Sequence, residues 1–259
     1  DANVPWGISI TKAIMAHHLF SSQGKIALAY ETSNEAIRIA DDSGDIYSKA
    51  FAYSAHGWSC YFKGYLQRAK ELLMKGVDFS EKVSQFLWNG IAHRGMGTIL
   101  FDMKEYENSR KHFEMAIFVY LHGKIIPSCV NFCKIALALA KVMNNEKDIN
   151  LNEIIKSYDD KKLRLWEGPM LNSIGGILLN IDDQHISEAE DWIKRAIETN
   201  QKYGMMWNLA RDYALYAELF KRKGDLPKAQ ENLNKSIAIF KECGADGWVE
   251  KYEKELAEF

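Results

Sequence analysis

The sequence predicts an all-α protein built as a solenoid of antiparallel helix pairs, and three observations carry that reading. The first is the stretch Leu209 to Phe240, LARDYALYAELFKRKGDLPKAQENLNKSIAIF, which reads as one complete helical hairpin. The second is a spacing of forty residues at which the hairpin recurs, degraded, along the chain. The third is proline: only Pro5, Pro127, Pro169 and Pro227 occur, each where a helix could begin.

Within the hairpin, Tyr213, Tyr216, Ala217 and Phe220 fall at i, i+3, i+4 and i+7, one face of a helix. Gly224 breaks that helix. Asp225 can cap the next, and Pro227 sits in a first turn where backbone N–H groups lack partners anyway. Ala229, Leu233, Ser236, Ile237 and Phe240 then share the face of the second helix. Small residues where helices cross let the backbones approach, and larger ones a turn away fill the groove.

Steps of forty back from Ala229 reach Ala189, Ile149, Ser109, Ala69 and Ala29, a slot that is small in all but one case. A second row is Ile37, Val77, Ile117, Ser157, Ile197 and Ile237; a third is Ile26, Leu66, Tyr106, Glu146, Ile186 and Leu226. The expected organisation is one solenoid over residues 1–259, with repeats at about 5–44, 45–84, 85–124, 125–164, 165–204 and 205–244. Residues 246–259, with Trp248, Tyr252 and Leu256, form a closing amphipathic helix that caps the stack. The fourth repeat breaks every row: NNEKDINLNEIIKSYDD sets Ile149, Ile154, Ile155 and Tyr158 in a shifted register, so a shorter or slipped second helix is expected. In the fifth repeat, Gly175-Gly176 is expected to loosen the first helix.

The pattern Tyr-x2-Tyr-Ala-x2-Phe followed by Ala-x3-Leu-x2-Ser resembles the tetratricopeptide repeat, whose helix pairs stack into a right-handed α-α superhelix. The period is forty and not the commoner thirty-four. The surplus follows the second helix, where Gly44, Gly204 and Gly244 precede Tyr47, Trp207 and Trp248. This long form, and the closing AIFKECGADGWVEKYEKEL, is similar to the C-terminal repeats of bacterial multidomain signalling ATPases and nucleotide cyclases.

Composition excludes several classes. At 47% hydrophobic and 12% aromatic the chain can bury a core, and its net charge of −2 offers no basic field to hold nucleic acid. Apolar runs are too short to cross a bilayer, and DANVPWG lacks the features of a signal peptide. The absence of an initiator Met points to a piece of a longer protein. Cys60, Cys129, Cys133 and Cys243 have neither CxxC spacing nor disulfide density, which fits a reducing cytoplasm. No GxxxxGK[ST], HExxH or GxSxG motif occurs, so no catalytic residues, cofactor or metal is expected.

If the family geometry holds, the first helix of each pair lines a concave groove. Residues flanking the packing stripe then place Trp58, Tyr61, Arg94, Phe101, Lys134 and Lys141 at its middle, with Arg211 and Lys221 extending it. Cations beside rings suit an extended peptide bearing acidic groups or a terminal carboxylate. The opposing reading is that the charges solvate a face while the rings pack between repeats. His17, His56 and His93 lie on packing stripes and read as structural. Asp182-Asp183 before His185 reads as a turn, and Cys129 with Cys133 as two core thiols. The function expected is a non-enzymatic scaffold for a protein, a peptide or another domain of the same polypeptide, with self-association through exposed faces open. The alternative is a sensor that binds a small ligand and controls an attached ATPase, cyclase or DNA-binding module.

Overall fold

A computed structural model describes residues 4–125, 127–160 and 164–259. Among the described residues there are thirteen α-helices and no strand. Their contacts group into two compact units, Asp1–Ile126 and Pro127–Phe259. In the first, α1 (Pro5–Ile14) runs into a π-helical stretch, Met15–Phe20, and packs on α2 (Ile26–Ser43). The pairs α3 (Ile46–Lys63) with α4 (Leu66–Lys82) and α5 (Phe86–Asp102) with α6 (Tyr106–His122) follow. The second unit holds α7 (Pro127–Met143), α8 (Leu151–Asp159), α9 (Glu167–Ile181), α10 (Ile186–Lys202), α11 (Met206–Arg222), α12 (Leu226–Cys243) and α13 (Asp246–Leu256). Residues 126 and 161–163, in the stretch assigned to the fourth repeat, lie outside the described residues.

Small residues open the crossings. A Cβ on Gly57 of α3 would stand 2.6 Å from Leu73 Cγ on α4, and one on Gly97 of α5 would stand 2.9 Å from Phe113 Cδ1 on α6. These are the same contact one repeat apart. Gly57→Leu is therefore expected to overpack the α3–α4 crossing and cost about 1–3 kcal/mol in a urea melt. Unchanged stability would remove the repeat register.

The chain turns on residues of left-handed conformation set on a lattice. They stand at Gly24, Gly64, Lys104 and Gly224 inside pairs, and at Gly44, Ser84, Lys124, Gly204 and Gly244 between them. The lattice persists at Ser84, Lys104 and Lys124, where glycine is absent, because this conformation closes the last carbonyls of the preceding helix; after α9 it lapses, with Asp182 extended at φ −164. Lys104, at φ 63, carries a Cβ into a region that favours glycine. Lys104→Gly is expected to stabilise the chain by about 0.5–1 kcal/mol, read as a raised thermal midpoint.

In the fourth repeat the lattice slips by one residue, to Asn145 at φ 66, and α8 has nine residues where the other second helices have 17 or 18. The expectation for Gly175-Gly176 is corrected: α9 runs unbroken through both, and both are buried. A Cβ on Gly175 would lie 2.7 Å from Ile193 Cγ1, so that glycine brings α9 close to α10 and does not loosen it. At the C-terminus, Trp248 and Tyr252 of α13 stack on Phe240, at 6.0 and 5.7 Å between ring centroids, and close the last pair.

Candidate binding surface

In the first unit, the first helices of the pairs assemble a cluster of rings around one cation. Trp58 on α3 donates from Nε1 to the carbonyl of Ile91 on α5 at 3.1 Å. The Arg94 guanidinium lies 4.3 Å above the Trp58 ring, and Tyr61 meets that ring edge-on at 5.5 Å. The Tyr61 hydroxyl donates to Asp102 at 2.8 Å. Trp58, Tyr61 and Arg94 are 4%, 3% and 5% exposed, so all three act from within the packing. Phe101, also assigned to the groove, is half-buried and packs 5.5 Å from Tyr106.

The π-helical stretch brings His17 to this cluster. Its ring centroid is 5.7 Å from those of both Trp58 and Trp88, while His18, the next residue, is exposed. Such a widening shifts the register of a helix by a fraction of a turn. Burial drives the His17 pKa well below the usual histidine range, with His18 and Arg94 adding repulsion. Burial likewise holds His56 and His93 at about 4. His56 Nδ1 meets Ser33 Oγ at 2.9 Å, and His93 Nδ1 lies 3.0 Å from His112 Nδ1, a pairing in which one ring donates and the other accepts.

The second unit distributes its cations differently. Lys134 is exposed on α7, and Lys141 is half-buried near the end of that helix. Arg211 lies 4.7 Å over Trp248 and 5.9 Å over Trp207, tying α11 to the closing helix. Lys221 is exposed with its Nζ 4.9 Å over the Phe259 ring. Thus Trp58, Tyr61 and Arg94 come together, whereas Arg211 and Lys221 associate with the C-terminal segment.

One group escaped sequence reasoning. Asp212 on α11 is 1% exposed and accepts from Asn172 Nδ2 at 2.8 Å and Asn200 Nδ2 at 2.6 Å. Burial pushes its pKa up to about 8, against the opposing effects of the two amides and Arg211. Asn172 and Asp212 stand one period apart, in a row otherwise filled by Lys12, Ala52, Ala92 and Phe132. An acid at an inward position of that row was the available signal.

The remaining candidates have structural partners. Asp182 accepts from the backbone N–H groups of Gln184 and His185 and lies 2.7 Å from His185 Nδ1, building a turn. All four cysteines are buried. Among the described residues no three His, Cys, Asp or Glu side chains gather to hold a metal, and no helix is long and apolar enough to cross a membrane.

No family model and no curated protein matches this chain. Solved structures do. The apo form of RapI is similar over 89% of this chain and 83% of its own, with a TM-score of 0.64 at 15% identity. A Rap protein complexed with competence and sporulation factor is similar over 100% of this chain and 77% of its own, with a TM-score of 0.64 at 12% identity. A signal transduction ATPase with numerous domains from Pyrococcus horikoshii, which carries a tetratricopeptide repeat sensor, is similar over 98% of this chain and 40% of its own, at a TM-score of 0.53 and 14% identity. With the helix pairs and their forty-residue lattice, these likenesses fix the fold as an all-α helical-repeat solenoid of the tetratricopeptide type.

Proposed function

We propose that this chain is a non-catalytic protein-interaction scaffold that holds a peptide or a partner domain against the first helices of its repeats. The observation that carries the reading is the placement of Lys134 and Lys141 seven residues apart on one face of α7, the first helix of its pair. Lys134 is exposed and Lys141 half-buried, and Lys221 on α11 of the same unit is exposed too, whereas Trp58, Tyr61 and Arg94 form a packed cluster of their own within the first unit. The fold adds support, since a Rap protein of the same architecture was solved in complex with competence and sporulation factor. Lys134 and Lys141 would orient an acidic peptide or a terminal carboxylate by charge, with Arg211 of the same unit as a further contact.

The test is fluorescence anisotropy with labelled acidic, neutral and basic peptides, each with a free and an amidated C-terminus. Acidic peptides are expected to bind, and Lys134→Glu combined with Lys141→Glu to weaken them about tenfold without moving the thermal midpoint. Equal binding of basic peptides, or no loss in the double variant, would sink the reading.

A further inference from the structure

The closing helix α13 and the residues after it are held in different ways. The body of the helix is fixed on α12: Trp248 and Tyr252 stack on Phe240, and Glu253 pairs with Lys241 at 2.7 Å. Beyond it, the N–H groups of Ala257, Glu258 and Phe259 donate to the carbonyls of Glu253, Glu255 and Leu256 over distances that lengthen from 3.1 to 3.4 Å. Ala257 and Glu258 are exposed, whereas Phe259 is half-buried against the core cluster that contains Leu178, Leu219 and Phe220. Its ring lies under Lys221 Nζ at 4.9 Å. The last residues of a domain fray unless something ties them down, and here the tie is an aromatic side chain. It is made at one end of a row of first-helix positions: Lys141, Ile181 and Lys221 stand forty residues apart, each in the last turn of its helix. Lys141 and Lys221 thus sit where the negative end of a helix favours a cation. Since α9 packs on both α7 and α11, the two lysines are about two helix spacings apart, about 16–20 Å, the reach of an extended peptide of about six residues.

We infer that residues 256–259 are a built-in occupant of the Lys221 end of this surface, and that the partner is an acidic peptide whose aromatic residue takes the place of Phe259. On the scaffold function proposed above, on which this rests, the tip displays the chemistry of the ligand: a ring to pack on the core beside Lys221, with carboxylates near it for Lys221 and Lys141. Glu255 and Glu258 flank Phe259 in that way within the chain itself. The contact is also one that can be displaced. Glu255 is half-buried, and burial raises its pKa; Lys251 and Lys221 oppose that shift, while Glu218 and Glu258 add to it. A half-buried carboxylate crowded by two others favours release of the tip, and a peptide that spreads its acids towards Lys141 avoids the crowding. A tip docked about nine-tenths of the time lowers the apparent affinity of a competing peptide about tenfold.

Fluorescence anisotropy with a labelled peptide copied from residues 253–259, EKELAEF, tests this, the peptide being amidated so that no terminal carboxylate takes part. Phe259→Ala is expected to bind it about tenfold more tightly than the intact chain, with an unchanged circular-dichroism melt. Phe259→Tyr, which keeps a ring, should bind it as the intact chain does. The same peptide with alanine in place of its phenylalanine should bind Phe259→Ala about tenfold more weakly than the original peptide. Equal affinity of the original peptide for the intact chain and for Phe259→Ala overturns the inference and leaves the scaffold function standing, because the Lys221 end is then open from the start. Equal binding of the two peptides to Phe259→Ala overturns the aromatic requirement in the same way. A lowered melt in Phe259→Ala makes the ring part of the fixed core and overturns the inference too. Failure of every acidic peptide to bind either chain overturns both the inference and the scaffold function.

Discussion

Acidification from pH 7 to pH 5 is expected to strip several kcal/mol of stability from the first unit, well before its carboxylates protonate. The cause is the set of histidines buried in neutral form. The His56 and His93 pKa values fall from 6.5 to about 4, chiefly by burial, with Arg68 facing the former and His112 the latter. His17 shifts the same way for the same leading reason. A depressed histidine pKa means that the unfolded chain takes up the proton first. The stabilisation is complete above pH 6.5 and is lost as pH falls towards 4. Linkage assigns about 2 kcal/mol of that loss at pH 5 to each of His56 and His93. Urea melts at the two pH values measure it. His56→Gln is expected to reduce the loss by about the share of one histidine, and an undiminished loss in that variant would reassign the effect.

Asp212 carries the opposite dependence in the second unit. Its pKa rises from 3.8 to about 8 on folding, so the folded chain holds a proton that the unfolded chain has released. That contribution is full below pH 3.8 and fades as pH climbs through 8. Between pH 5 and pH 9 it amounts to about 4 kcal/mol. The contact geometry agrees, for the 2.6 Å between Asp212 Oδ2 and Asn200 Nδ2 is short for an amide donor and ordinary for a carboxylic O–H. Asn200 Oδ1 is buried without a partner, and turning that amide over would offer it to the Asp212 proton. Asp212→Asn is therefore expected to flatten the alkaline fall in stability, leaving the variant the more stable protein at pH 9. Parallel pH profiles for both proteins would refute the protonated carboxyl.

The repeat architecture was legible because packing imposes it at a fixed period. The small residues at Gly57 and Gly97, and the glycines at the ends of the helices, are direct marks of close crossings and left-handed turns. Where another residue does the same work the mark disappears: Ser84, Lys104 and Lys124 adopt the glycine conformation without announcing it. The fate of large side chains was also hidden. Register places Trp58 on a given helix face, but only the neighbouring helix determines that its indole hydrogen-bonds to Ile91 and slides beneath Arg94. Gly175 misled for a related reason, since helix propensity weighs against it while the cost of any larger side chain against Ile193 weighs for it.

The left-handed lattice also governs where the chain can accept new sequence. One inserted residue turns everything downstream in a helix by about 100°, which carries an inward side chain out to solvent. A loop grafted next to Gly64 or Lys104 would meet a turn already fixed on both sides by full-length helices. Between Asn144 and Asn150 the spacing has already slipped, and the helix that follows is half the usual length. That segment is the natural port for inserting an epitope, a reporter or a protease site while the repeats on either side keep their register.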